Sequence, residues 1–218
     1  RRHMSDLPEG EIRFFVNRKR FRLMRALIGD QLENEVTSIL NVASGPFAFE
    51  NYAHYRSDAQ IDSFDMNPDL HGVYEDLQKT AAFSNVKFEC KSAETFHTSK
   101  QYDLVLINDL FYYHAVDFDL LIESFVDRLK PNGILYFDIL DKRSERLWQF
   151  FGKDSQFVRY DLEKISEKLR SLGLEIESVT PALGIGGIVD FTMRSALYRT
   201  LRLANNFVFV SRKKEPGG

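Results

Sequence analysis

Cysteine is nearly absent: Cys90 is the only one in 218 residues. An internal disulfide is therefore excluded, and a reducing, cytoplasmic location is expected. No apolar run approaches the roughly 18 residues that a membrane-spanning helix needs. No apolar N-terminal segment resembles a secretion signal. Charge of one sign is also lacking. The formal net charge of −3 provides no global basic field of the kind that draws nucleic acid. The five histidines, His3, His54, His71, His97 and His114, show no paired ligand spacing, so no metal centre is expected. No serine stands in a nucleophile-elbow pattern. Internal repeats and low-complexity tracts are missing as well, apart from a tail at 213–218 that reads as disordered. Arg1-Arg-His-Met4 reads as a cloning scar ahead of a native start at Met4 and is set aside from fold reasoning.

What is present is an ordinary globular balance, 44% hydrophobic and 28% charged, enough to bury a core in one large domain. Residues 10–33 place Phe14, Phe21, Met24, Ile28 and Leu32 on one helical face. Short apolar strands near 37–43, 60–65, 86–90, 103–108 and 133–139 then alternate with helices near 47–55, 68–83 and 117–129. Pro68 suits the first turn of its helix, and Pro131-Asn-Gly133 reads as a turn. A helix near 160–172 and strands near 174–180 and 205–212 close the chain. The expected fold is α/β: a mainly parallel seven-stranded sheet with helices on both faces and a C-terminal antiparallel hairpin. Ligands of such sheets bind beyond the carboxyl ends of the strands, at the switch in strand order.

The segment Thr37-Ser-Ile-Leu-Asn-Val-Ala-Ser-Gly-Pro46 reads as a buried strand breaking into a small-residue turn before a helix. Asp65 ends the next strand, twenty residues past Gly45. A tight turn lets a ligand approach the backbone, and a carboxylate at the tip of the following strand can accept both hydroxyls of a ribose. The pair points to a nucleoside cofactor.

With these segments the chain resembles the class I S-adenosylmethionine-dependent methyltransferases, small-molecule type, over roughly 36–180, with 205–212 fitting their last strand. Ile39–Pro46 is similar to the family's first, glycine-rich motif. Val86–Glu94 is similar to the third strand and the adenine loop, and Tyr102–His114 to the fourth strand and the segment beside the reactive methyl. Leu129-Lys-Pro-Asn-Gly133 is similar to the turn into the fifth strand. The resemblance implies a Rossmann-like fold, with S-adenosylmethionine as donor and S-adenosylhomocysteine as product. It implies Asn41 facing the amino end of the methionine moiety, Ala43, Ser44 and Gly45 where the cofactor approaches the backbone closely, and Asp65 on the ribose. Met66 would cover the adenine, Ser92, Ala93 and Glu94 would border it, and Asn108 and Asp109 would lie near the sulfur. The chain departs from the family where Asn41 replaces an acid, where Ala43 and Phe47 replace glycines, and where Ser92 replaces an acid. Phe47 is expected to narrow the pocket or alter the turn.

On the acceptor side, Tyr112, Tyr113 and His114 follow Asn108-Asp109 and stand where small-molecule members often carry paired histidines. His114 can accept a proton near neutral pH, with Tyr112 or Tyr113 orienting the acceptor; a packed aromatic cluster is the competing reading. Asn108-Asp109 lacks the Pro-Pro-aromatic signature of enzymes that methylate nucleic-acid amines, so a nucleic-acid target is disfavoured. Asp138 and Asp141, expected to end the fifth strand, are candidates for the acceptor pocket, against a plain strand-end cap. Arg194, Tyr198 and Arg202 share a helical face that could hold a carboxylate or phosphate of an anionic acceptor; an amphipathic cover or a homodimer contact competes.

The resulting division is an N-terminal helical lid at 5–35, a methyltransferase domain at 36–212 with a substrate cover at 181–204, and the tail at 213–218. The expected activity is methyl transfer to an oxygen or nitrogen of a small molecule. The alternatives are aminopropyl transfer on the same fold, a non-catalytic binding or regulatory protein, and a dehydrogenase. The last would want an early glycine triplet that the chain lacks.

Overall fold

A computed structural model describes residues 18–54, 56–79, 83–150, 157–182, 200 and 204–215. Seven strands form one sheet in the order β3-β2-β1-β4-β5-β7-β6. They are β1 (Ser38–Val42), β2 (Gln60–Asp65), β3 (Val86–Cys90), β4 (Tyr102–Ile107), β5 (Leu129–Leu140), β6 (Leu174–Pro181) and β7 (Asn206–Lys213). The helices are α1 (Arg18–Asn34), α2 (Ala48–His54), α3 (Leu70–Gln78), α4 (Phe118–Asp127), α5 (Glu145–Phe150) and α6 (Leu162–Ser171). By internal contacts the chain separates into two compact units, Arg1–Ile107 and Asn108–Gly218.

In the first unit β1 pairs in parallel with β2 on one side and β4 on the other, so Asn41 lies opposite both Ser63 and Leu106. β2 continues in parallel to β3. The order 3-2-1-4 turns back at β1, which makes the carboxyl ends of β1 and β4 the switch point. Burial on every residue from Ile39 to Val42 and from Leu104 to Ile107 explains why these strands read as continuous apolar runs. At the opposite end of the strands, Asp103 Oδ2 accepts from the backbone N–H groups of Thr37 and Ser38 at 3.0 and 2.9 Å and from both their hydroxyls at 2.8 and 2.9 Å. One carboxylate thereby registers the start of β1 on β4. Helix α1 buries Phe21, Met24, Ile28 and Leu32, the face anticipated from spacing, and Phe21 stacks on Tyr52 of α2 with ring centroids 4.8 Å apart. It is kinked at Ile28, where φ is −136° and ψ is 16°.

In the second unit β7 lies antiparallel between β5 and β6, confirming the C-terminal antiparallel element. The helix end after α4 is closed by Lys213, whose Nζ donates to the carbonyls of Val126 and Leu129, both at 3.0 Å. This satisfies carbonyls that a helix terminus leaves orphaned, and it extends β7 one residue past the expected 212.

Three boundaries differ for physical reasons. β5 begins at Leu129, absorbing Pro131-Asn132-Gly133; Asn132 takes φ of +63° as an irregularity inside the strand instead of forming a separate turn. Helix α3 starts at Leu70 because Pro68 sits in a preceding turn, where Asn67 Oδ1 accepts the Asp69 N–H at 3.0 Å. Helix α5, preceded by a short 3-10 turn at Lys142–Ser144, was not anticipated; Asp141 caps that turn by accepting the Arg143 N–H at 3.0 Å.

Replacing Asp103 by alanine removes four bonds from the strand starts. The expected outcome is a loss of about 2–3 kcal/mol in urea unfolding, with the turns at the carboxyl ends of these strands undisturbed. A loss below about 0.5 kcal/mol would contradict the clamp.

Candidate functional site

The loop after β1 carries the unusual backbone. Ala43, Gly45 and Phe47 have φ of +53°, +57° and +58°. These are the three places where the resembled family has glycine, and the chain keeps the left-handed geometry with a side chain on two of them. A left-handed residue bearing Cβ costs about 1–2 kcal/mol, so the loop must be held by its surroundings. Asp65, at the end of β2, does part of this: its Oδ2 accepts the Gly45 N–H at 2.9 Å and its Oδ1 accepts the Asn67 N–H at 2.9 Å. Ser44 N–H donates to the Phe64 carbonyl at 3.0 Å.

Phe47 supplies the rest, and here the expectation is corrected. Its ring does not narrow a pocket. It is fully buried and meets Phe88 and Phe83 edge-on at 5.0 and 6.0 Å, with Tyr74 at 6.0 Å. Burying a phenylalanine recovers about 1.5–3 kcal/mol, which offsets the cost of its backbone. Above Gly45 the space is open, with no atom within 4 Å of where a Cβ would sit. Ser44 Oγ is buried and has no partner.

Beneath the loop lies a polar cluster that sequence reasoning missed. Glu50 of α2 is fully buried; its Oε1 accepts from Asn41 Nδ2 at 2.7 Å and from the Ser63 hydroxyl, and its Oε2 has no partner. Burial pushes the Glu50 carboxyl above its ordinary value, with the Ser63 and Asn41 bonds opposing and the Asp65 charge adding to the rise. The acid absent at Asn41 thus exists, moved from strand to helix. A signal was present: Glu50 stands inside the aromatic-rich run Phe47-Ala-Phe-Glu-Asn-Tyr-Ala53, and the helix buries Phe49 to Ala53.

The other expected cofactor residues of this unit line the neighbouring turns. Met66 is 75% exposed beside Asp65. Ser92 and Ala93 are half-buried and Glu94 is exposed. Ser92 Oγ accepts the Glu94 N–H at 3.3 Å, which uses the hydroxyl in its own turn.

In the second unit, Asn108 is half-buried with Oδ1 unpartnered. Asp109 is exposed with φ of +56°, and its N–H donates to Asp138 Oδ1 at 2.8 Å. Asp138 is only 2% exposed and lies inside β5, which runs on to Leu140, so it does not end the strand as expected. Its Oδ2 accepts the Tyr112 hydroxyl, which in turn accepts from Asn206 Nδ2 at 2.8 Å. Tyr112 and Asp138 are therefore committed to each other and to the Asp109 backbone. Tyr113 and His114 are exposed, with the Tyr113 ring 6.2 Å from Phe157. Asp141 is fully buried as the cap described above. Arg194, Tyr198 and Arg202 lie outside the described residues. Among the described residues no group of three or more His, Cys, Asp or Glu side chains could hold a metal ion, and no helix is long and apolar enough to cross a membrane.

The methyltransferase-domain family matches residues 33–184, and the chain belongs to that family. Solved structures share the fold at low identity. The N-methyltransferase NodS from Bradyrhizobium japonicum WM9, in complex with S-adenosyl-L-homocysteine, aligns with a TM-score of 0.65 and 17% identity, covering 93% of this chain and 88% of that one. Magnesium protoporphyrin IX methyltransferase from Synechocystis PCC 6803, with the same bound product, aligns at 0.61 and 12%, covering 92% and 84%. The cyclase SpnF aligns at 0.67 and 15%, covering 89% and 81%. No curated protein matches the chain.

The Glu50 cluster sets a pH dependence. The unfolded side chain ionises near 4.5, and the folded one holds its proton to higher pH. Its contribution to stability is therefore complete below about 4.5 and declines as pH rises through the elevated folded value. Glu50→Gln keeps an acceptor for Asn41 and Ser63 but does not titrate. It is expected to gain stability relative to wild type as pH rises from about 4.5 towards about 8, followed by urea unfolding at each pH. A difference that stays flat across this range would contradict a buried, proton-holding Glu50.

Proposed function

We propose that the protein is an S-adenosylmethionine-dependent methyltransferase that transfers a methyl group to an oxygen or nitrogen of a small-molecule acceptor in the cytoplasm. The observation that carries this reading is the left-handed loop at 43–47, held by Asp65, with open space above Gly45. Those residues fit a nucleoside cofactor. Asp65 retains lone pairs beyond its two backbone bonds for ribose hydroxyls. Ser44 Oγ is a buried hydroxyl that a ligand atom would satisfy, as an orphaned buried polar group costs about 1–3 kcal/mol. Ala43 and Gly45 leave the backbone approachable. Met66 and the half-buried Ser92 and Ala93 offer apolar cover for a base, with Glu94 at its margin. Asn41 donates to the buried Glu50 carboxyl, which supplies a polar acceptor on the side expected to face the amino end of the cofactor.

When bound, S-adenosylmethionine supplies an electrophilic methyl carbon on a sulfonium. The chain has to orient the acceptor, exclude water and take a proton. Exposed His114 is the candidate proton acceptor, and exposed Tyr113 the candidate orienting hydroxyl. Tyr112, with its hydroxyl between Asp138 and Asn206, supports the segment from behind, and Asp138 fixes the backbone of Asp109. Asn108 Oδ1 remains free for a ligand. The low net charge favours a small acceptor over nucleic acid.

A second reading, a binding or regulatory protein, draws on the replaced glycines and acid. The backbone speaks against that erosion, because Ala43 and Phe47 keep the conformation for which glycine is ordinarily required.

Asp65→Ala is expected to weaken S-adenosylhomocysteine binding by at least about tenfold in calorimetry, since a bond to a charged group is worth about 1.5–3 kcal/mol. Unchanged affinity in a folded variant would remove the ribose assignment. With an acceptor identified by S-adenosylhomocysteine release across a panel of amines and hydroxy compounds, His114→Ala is expected to lower turnover by about 100-fold or more while cofactor affinity holds. Full activity would exclude His114 as the base.

A further inference from the structure

Residues 157–160 run as an extended segment secured on both sides. Val158 N–H donates to the Tyr112 carbonyl at 2.8 Å, and Phe157 forms a bridge with Tyr113. Tyr160 N–H donates to the Leu140 carbonyl and Lys142 N–H donates to the Tyr160 carbonyl, both at 2.8 Å. The segment therefore joins the acceptor-side tyrosines to the carboxyl end of β5, and Arg159 stands in its middle.

Arg159 is half-buried, and its three hydrogen bonds all leave from Nη1. They go to Asn205 Oδ1 at 2.8 Å, Ser144 Oγ at 3.0 Å and the Asp141 carbonyl at 3.4 Å. Every one of these acceptors is neutral. The carboxylate of Asp141, whose backbone carbonyl Arg159 reaches, is occupied: Arg143 Nε reaches its two oxygens at 3.2 and 3.0 Å and Arg143 Nη2 reaches Oδ2 at 3.0 Å. Arg159 makes no ion pair with a described residue, and its Nε and Nη2 make no hydrogen bond to one. Loss of hydration lowers the Arg159 pKa, against the partial compensation of the Glu145 and Asp141 charges. A guanidinium taken partly out of water is ordinarily paired. Here one arm is fixed by neutral oxygens, and the planar edge formed by Nε and Nη2 is left over, the donor pair that grips a carboxylate with two parallel bonds.

We propose that Arg159 binds a carboxylate carried by the small-molecule acceptor, placing it beside Tyr113. A carboxylate fits the two-donor edge of Nε and Nη2, and the adjacent Arg143 is already neutralised by Asp141. This rests on the methyltransferase reading for the word acceptor, but the anion site itself does not. It adds to Arg194, which lies outside the described residues, a second candidate for the anion-binding role.

The test is fluorine NMR titration of the full chain with two matched pairs, 4-fluorobenzoate against 4-fluorobenzamide and fluoroacetate against fluoroacetamide. S-adenosylhomocysteine is titrated separately in the same buffer. Wild type is expected to bind at least one carboxylate about tenfold or more tighter than its amide. Arg159→Gln is expected to abolish that preference and leave S-adenosylhomocysteine affinity unchanged, and Arg159→Lys to reduce it severalfold by keeping charge without the fork. Equal binding of acid and amide by wild type, or a preference that survives in Arg159→Gln, overturns the site. If the glutamine variant does not fold, an undiminished preference in the lysine variant overturns the fork. Tighter, Arg159-dependent binding of phenyl phosphate than of 4-fluorobenzoate overturns the carboxylate assignment. Loss of S-adenosylhomocysteine binding alone would count against the cofactor reading and leave the carboxylate preference to be judged by itself.

Discussion

The carboxylate of Asp65 accepts the N–H of Gly45 at 2.9 Å with one oxygen and that of Asn67 at 2.9 Å with the other, so a single side chain fixes the loops that follow β1 and β2. Those loops face costs that the local sequence does not remove. Two of the three left-handed residues carry side chains, and each such residue is disfavoured by about 1–2 kcal/mol. The aromatic packing of Phe47 and the two bonds of Asp65 provide the compensation from tertiary structure. Strain that persists because its surroundings over-determine it is a recurrent property of ligand-binding loops.

Electrostatics in the same unit are arranged by position instead of motif. Asn41 occupies a strand position that carries an acid in the resembled family, and a carboxyl group bonds to it, delivered by Glu50 from α2. The exchange changes the chemistry. A carboxyl group held entirely inside the protein keeps its proton more firmly than one at a strand tip, and cationic ligands above it would draw that proton away. In the second unit the analogous device is Asp138, whose two oxygens hold the Asp109 backbone and the Tyr112 hydroxyl. Asp138 bonds directly to the N–H of the positive-φ residue Asp109, whereas Glu50 bonds to side chains of β1 and β2, the strands whose ends carry the loop.

Much of the fold was legible in the sequence because its signals are local. The parallel strands are buried on both faces and read as unbroken apolar runs, and β3 was placed without error at Val86–Cys90. Asp65 was found through its spacing from Gly45, which the chain's connectivity dictates. What was not legible depends on contacts far apart in sequence. Phe47 appeared to be an obstruction because its destination, among Phe83, Phe88 and Tyr74, is set by the packing of α3 and β3. Asp138 and Tyr112 read as free functional groups because they pair with each other across 26 residues and Tyr112 takes its further bond from Asn206, 94 residues on. Arg159 carried no motif, and only the prior engagement of Asp141 by Arg143 reveals its unpaired charge.

The central claim is that a loop with only one of the family's glycines still holds a nucleoside cofactor, because its backbone has kept the shape the glycines would have given it. The most direct measurement is calorimetric titration of the purified full chain, stripped of copurified ligand, with S-adenosylmethionine and separately with S-adenosylhomocysteine. Saturable binding of both, with dissociation constants on the order of micromolar or about 8 kcal/mol of binding free energy, is the predicted result. A folded, ligand-free protein that binds neither would contradict the account.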